Sequence, residues 1–255
     1  MTRPVALITG GRRGIGLGIA KSLASAGFDI AITGTSHSPD NALVLDELRA
    51  FGGKAIFLKA NLADVSGHAS TVEAVTSQLG AINCLVNNAG VGSVVRGDFL
   101  DLQPENFDTI IATNLRGTLF FTQAVVKSML AFGSVGTVRS IINITSVSAM
   151  MSSPERLDYC VTKAGLAAFT QGLTLRLSET GISVFEVRPG IIRSDMTAKV
   201  SGKYDALIAE GLVPMKRWGE ASDIGNVVAA LAGGSFAFAT GSVIHADGAL
   251  SIHRL

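Results

Sequence analysis

Residues Val5-Ala6-Leu7-Ile8-Thr9-Gly10-Gly11-Arg12-Arg13-Gly14-Ile15-Gly16 constrain this chain more than any other stretch. Four apolar residues read as a buried parallel strand, the glycines as a tight turn, and Gly16 to Ala26 as a helix with Leu17, Ala20, Leu23 and Ala24 on one face. Together they predict a phosphate cradle. Backbone approaches a ligand closely where no side chain intervenes, positive φ carries no steric cost at glycine, and the first N–H groups of a helix point outward. The anion expected is a dinucleotide pyrophosphate. The spacing is Gly-x3-Gly-x-Gly rather than Gly-x-Gly-x-x-Gly, so the motif alone leaves open a turn that merely packs a helix on a sheet.

Further strand-like runs recur at Asp29 to Thr33, Lys54 to Leu58, Ile82 to Val86, Val138 to Ile144, Ser183 to Val187 and Ser242 to His245. Helical patterns separate them at Asp40 to Phe51, Gly67 to Leu79, Asn106 to Leu130, Tyr159 to Glu179 and Ser222 to Ala232, the last starting at Ser222 or Asp223. Strands alternating with helices require parallel pairing through crossovers. The expected fold class is therefore α/β, a doubly wound parallel sheet of about seven strands with helices on both faces. Ligands then bind beyond the carboxyl ends of the strands.

No linker, charge block, low-complexity run or repeat interrupts the 255 residues, which suits a single domain over 1–255. A net charge of +1 provides no field for nucleic acid or an anionic membrane, so the partner expected is a small molecule. With Met1-Thr2-Arg3-Pro4 leading straight into the first strand and no apolar run of membrane-spanning length, a cytoplasmic location is expected. Cys84 and Cys160 lie far apart, form no disulfide framework or metal cluster, and read as buried thiols.

The second strand bears on nucleotide choice. An NAD site places an acidic residue near that strand's end to take the ribose hydroxyls, yet here the run is Ile32-Thr33-Gly34-Thr35-Ser36-His37, and no carboxylate follows until Asp40. Arg12 and Arg13, inside the glycine loop, either pair with a 2′-phosphate or stay solvated; with the carboxylate missing, NADP(H) is preferred and NAD(H) possible.

Chemistry concentrates after the strand that ends at Ile144. Tyr159 and Lys163 are four residues apart and share a helix face. An ammonium close to a phenol is expected to bring the phenol pKa down toward the working range, so that Tyr159 exchanges a proton with a substrate oxygen. Ser146 ends its strand where it could hold that same oxygen, or serve simply as a turn residue.

Taken together and in this order, Thr9-Gly10-x3-Gly14-Ile15-Gly16, Asn87-Asn88-Ala89-Gly90, Asn114, Ser146, Tyr159-x3-Lys163 and Pro189-Gly190 resemble the short-chain dehydrogenase/reductase family. The resemblance covers nearly the whole chain and is closest to its 3-oxoacyl-carrier-protein reductases. It implies a catalytic tetrad of Asn114, Ser146, Tyr159 and Lys163. It also implies that Lys163 holds the nicotinamide ribose, that Asn88, Ala89 and Gly90 line the adenosine side, and that Pro189, Gly190, Ile192 and Ser194 lie beside the nicotinamide. Thr35 matches a small hydroxyl residue of NADP-preferring relatives. Asn61, followed by Leu62, stands where the family usually has an aspartate near adenine. A homodimer or homotetramer built on the two long helices is implied as well; apolar Phe120, Phe121, Phe169 and Leu173 would serve such a contact or, equally, a monomer's core.

By the same analogy Val91 to Phe99, Met150 to Asp158 and Ile191 to Gly211 border the substrate. The last reads as a mobile lid. Met150, Met151, Leu157 and Met196 suggest an adaptable apolar pocket or ordinary packing. Carrier proteins are acidic, and neither Ala131-Phe132-Gly133-Ser134 nor Ser178-Glu179-Thr180-Gly181, the stretches after the two long helices, is basic. The expected activity is therefore hydride transfer between NADP(H) and a small soluble ketone or the matching alcohol. A 3-oxoacyl-carrier-protein reductase is the first alternative, and a non-catalytic NADP-binding regulator is the alternative from another class.

Overall fold

In the computed structural model, which describes residues 2–133, 138–198 and 201–253, with Met196 as backbone only, each apolar run becomes a strand of one sheet. These are β1 (Val5–Ile8), β2 (Asp29–Gly34), β3 (Ala55–Lys59), β4 (Ile82–Asn87), β5 (Arg139–Ile144), β6 (Ile182–Pro189) and β7 (Val243–Ala246). The spatial order is β3-β2-β1-β4-β5-β6-β7, and every neighbouring pair is parallel. The chain starts in the middle, winds outward through β2 and β3, and returns to pair β4 on the other side of β1. Winding thus reverses between β1 and β4, and a crevice opens beyond their carboxyl ends.

The helices are α1 (Gly14–Ser25), α2 (Asn41–Arg49), α3 (His68–Leu79), α4 (Pro104–Ile111), α5 (Thr118–Ala131), α6 (Leu157–Leu177), α7 (Asp195–Ala198), α8 (Ser201–Ala209) and α9 (Ala221–Ala232). Alternate strand residues point to opposite faces. Ala6, Ile8, Ile30 and Ile32 pack with Ile19 and Leu23 of α1 and Ile224 and Val228 of α9; Val5, Leu7, Ala31 and Leu85 pack with Val72 of α3 and Phe121 and Val125 of α5. With both faces covered, the strands are continuously apolar rather than alternating. Contact between α1 and α9 is close because it is built on glycine: a Cβ on Gly18 would stand 2.6 Å from the Ala221 Cβ.

Three elements differ from expectation. The helix expected over Asn106 to Leu130 is interrupted between α4 and α5 by a π-helical turn, Ala112–Gly117, which carries Asn114. A Cβ on Gly117 would collide with the Leu62 carbonyl, so the backbone is pressed against the β3–α3 connection there. The segment expected to be a mobile lid contains α7 and α8, held by a cluster of Ile208, Val213 and Trp218 with Ile191 and Tyr204; its positions 199 and 200 lie outside the described residues. The Trp218 Nε1 donates to Asp205 Oδ1 at 2.7 Å, tying α8 down. The start of α9 moves to an N-cap at Glu220, whose side chain reciprocates with Asp223 in a capping box.

Candidate active site

At the switch point, Gly10 and Gly14 adopt φ of +66° and +55°, which only glycine accepts cheaply. Thr9, fully buried, receives the backbone N–H groups of Asn88 and Ala89 on its hydroxyl, and the Asn88 Nδ2 donates to the carbonyls of Thr9 and Gly10. The loop is thus clamped to the end of β4. A Cβ on Gly16 would strike the Gly10 carbonyl, whereas one on Gly14 would meet only Ser194 across the cleft, at 3.7 Å. Helix α1 therefore opens onto free space with no side-chain cap and no acidic residue in its first turn. A pyrophosphate fits there, met by unshielded N–H groups and the positive end of the helix dipole.

Beside it, Ser146, Tyr159 and Lys163 line one cavity of about 160 Å³ with Ile15, Asn88, Pro189, Gly190, Ile192 and Ser194. Residues from the start of α1, the ends of β4, β5 and β6, and the start of α6 are thereby brought together. The Lys163 Nζ donates to the Ile144 carbonyl at 3.0 Å and stands 5.6 Å from the centre of the Tyr159 ring. Burial pushes this ammonium down to about 8, against the opposing pull of Glu186. Burial also raises the Tyr159 phenol; a hydrogen bond with Ser146 and the charges of Arg156 and Arg96 pull the other way. The expected lowering of the Tyr159 pKa by Lys163 is therefore not realised. Desolvation outweighs the attraction, and the cations that act on the phenol are arginines.

Beneath the site is a buried polar layer. Glu186, fully buried, accepts from the Thr145 hydroxyl at 2.7 Å and from Arg188 Nε at 2.6 Å, which holds the end of β5 immediately before Ser146. Asn114 is engaged at both ends of its amide by Val91, whose N–H it receives and whose carbonyl it binds, each at 2.8 Å. Its side chain thus holds the loop after β4 against the π-helical turn. Ser93 donates to Asp158 Oδ1 at 2.6 Å and fastens the same loop to the start of α6.

Other expected residues do not line this cavity. Arg13 pairs with Asp195, next to Ser194, at 3.1 Å, while Arg12 reaches the Ser36 carbonyl at 3.3 Å beside the exposed Thr35. Leu62 packs in the core among Val72, Phe121 and Val125, with its carbonyl taken by the His68 ring; Asn61 caps its own turn by accepting from Ala63. Met150, Met151 and Leu157 are exposed and do not line the catalytic cavity; the Met196 side chain lies outside the described residues. Phe121 is wholly buried, so it serves the core and not a subunit contact.

Three lining residues, Arg156, Thr197 and Tyr204, come from the segments expected to border the substrate, Met150 to Asp158 and Ile191 to Gly211, but were not singled out individually because no motif contains them. The non-basic stretches after α5 and α6 lie at the wrong edge to bear on the cleft. Arg139, at the amino end of β5, donates to the Gly133 and Thr180 carbonyls and ties both stretches to the edge opposite the cavity. Ser134 lies outside the described residues.

A doubly wound sheet with a glycine cradle at its switch point and a Ser, Tyr and Lys beside it defines the class: an NAD(P)-dependent oxidoreductase. The model of the short chain dehydrogenase family matches residues 4–205, and the chain belongs to that family. It is 35% identical over 245 residues to the 3-oxoacyl-[acyl-carrier-protein] reductase FabG of Staphylococcus epidermidis, covering 96% of this chain and 98% of the relative. To that of Aquifex aeolicus it is 34% identical over 248 residues, 96% of each chain. A crystal structure of a 3-oxoacyl-[acyl-carrier protein] reductase from Brucella melitensis in complex with NAD matches at 66% identity over all of both chains, with a TM-score of 0.97.

Proposed function

We propose that this enzyme interconverts a small soluble ketone and its secondary alcohol, using NADP(H) in preference to NAD(H). The convergence of Ser146, Tyr159 and Lys163 on one cavity with the nicotinamide-side residues carries the reading. Gly10, Gly14, Ile15 and Gly16 would hold the pyrophosphate; Arg12, with Thr35, would meet a 2′-phosphate; Asn61, Leu62, Asn88, Ala89 and Gly90 would border the adenosine through backbone and short side chains. Pro189, Gly190, Ile192 and Ser194 would border the nicotinamide, with Lys163 on its ribose. When bound, that cofactor supplies or accepts the hydride. Ser146 holds the substrate oxygen, Tyr159 gives it a proton during reduction and takes it back during oxidation, and the buried ammonium of Lys163 favours negative charge in the site. Asn114 positions the loop that closes the cavity wall.

The names of the relatives support a second reading, a 3-oxoacyl group delivered on an acyl carrier protein. Titration of the purified protein with NADPH and with NADH, followed by fluorescence, tests the cofactor; a panel of ketones, a short 3-oxoacyl thioester and the carrier-bound thioester then tests the substrate. Tighter NADPH binding and turnover of free ketones are expected. Turnover of the carrier-bound thioester alone would establish the second reading, and tight binding with no turnover of any compound would make the chain a nucleotide-binding regulator.

A further inference from the structure

One charge in the catalytic cavity is used by neither the tetrad nor the cofactor cradle. Arg156 lines the same cavity as Ser146, Tyr159 and Tyr204, with its guanidinium carbon 5.6 Å from the centre of the Tyr159 ring. Its Nε meets the Ser153 hydroxyl at 3.4 Å. The two terminal nitrogens have no hydrogen-bond partner among the described residues, and no carboxylate lies within ion-pair distance. The nearest acids in sequence are occupied or turned away: Asp158 is buried and bonded to Ser93 and to the Tyr159 N–H, and Glu155 borders a separate small cavity.

Position makes this arginine expensive. It is the N-cap of the 21-residue helix α6, where the dipole end is already positive and a cation is disfavoured. With Asp158 of the first turn already engaged by Ser93 and the Tyr159 N–H, Arg156 lines the cavity with its terminal nitrogens open to a ligand, and a planar guanidinium fork matches a carboxylate in two-point geometry.

We propose that Arg156 is a specificity-determining residue that receives a carboxylate of the substrate, so that the substrate is a short keto acid or the corresponding hydroxy acid. This deepens the reading of the site as a small-ketone reductase and rests on it. In the reduction, the carbonyl carbon gains the hydride supplied by the reduced nicotinamide and its oxygen gains the Tyr159 proton; the carboxylate is unchanged and serves only to orient. A cavity of about 160 Å³, shared with the nicotinamide side, suits a molecule of a few carbons.

The test pairs each acid with its neutral ester: pyruvate, acetoacetate and levulinate against their methyl esters, with the N-acetylcysteamine thioester of acetoacetate as a neutral carrier mimic. The readout is the ratio of kcat/KM for acid to ester, which cancels any effect of the substitution on Tyr159 itself. Wild type is expected to favour the acid in at least one pair. Arg156→Gln should lower that ratio about 10- to 100-fold, the range for loss of a charge-assisted hydrogen-bonded pair, and Arg156→Lys should recover part of it. Preference for ester and thioester in every pair, or a ratio unmoved in Arg156→Gln, would overturn the proposal.

Malonate titrated into the NADPH-loaded protein separates this from failure of the reductase reading. Binding that weakens at least about tenfold in Arg156→Gln supports the anion site even where the panel finds no turnover. Absence of binding, or binding indifferent to the substitution, overturns it.

Discussion

Tyr159 and Lys163 show how burial works on two neighbouring groups in opposite chemical senses. The phenol is raised and the ammonium lowered by the same desolvation, because each resists becoming or staying charged. Reduction consumes the Tyr159 proton, so its rate is expected to hold through neutral pH and fall only in alkaline solution; oxidation needs the phenolate and should rise with pH. Tyr159→Phe should retain NADPH binding by fluorescence and lower turnover about 10²- to 10⁴-fold, the usual contribution of a positioned proton donor. Turnover within a few-fold of wild type would remove Tyr159 from that role.

Lys163 has a consequence for stability. Its pKa is lower folded, about 8, than unfolded, about 10.5, so above pH 8 the unfolded chain binds more protons and stability rises with pH. From about pH 9 the Cys84 thiol, pushed up to about 12 by burial, begins to oppose this, followed by Tyr159. The apo protein should therefore gain about 1 kcal/mol between pH 8 and 9 in urea denaturation, and Lys163→Met should flatten that rise. A flat wild-type profile would contradict it.

At the scale of elements, the cradle depends on how α1 is seated. Gly18 meets Ala221 and Gly225 meets the Gly18 carbonyl, so α1 and α9 approach more closely than side chains would allow. A Cβ on Gly18 would lie 2.6 Å from both the Ala221 Cβ and its carbonyl oxygen, and neither the methyl group nor the backbone can swing aside. Gly18→Ala is expected to cost about 1–3 kcal/mol of stability, read as a lower urea midpoint with an unchanged m-value. A midpoint equal to wild type would mean that the two helices can separate freely. The strands and most helices were legible because their period and breakers are local. The π-helical turn at Ala112–Gly117 was not, since it answers to the pressure of Gly117 on Leu62, a contact between residues 55 apart.

For the whole molecule, the exposed apolar side chains on α5 and α6 bear on assembly. Phe120 is 43% exposed and Leu175 78%, and both stand on the long helices that the family resemblance places in subunit contacts. Sedimentation at micromolar concentration is expected to give a dimer or tetramer; a single monomeric species would refute that. Among the described residues, no helix is long and apolar enough to cross a membrane.

Local chemistry determined the strand–turn–helix units, their parallel order and the residues of the cradle and the Tyr159–Lys163 pair, because glycine geometry and the two periodicities act over a few residues. What faces what was decided only by the tertiary structure. Arg13 pairs with Asp195, Met150 and Met151 are exposed, and Arg156 is the member of its substrate-bordering segment that lines the catalytic cavity. The pKa of Tyr159 was likewise out of reach, since desolvation is a property of everything packed around a group and not of the residue four positions away.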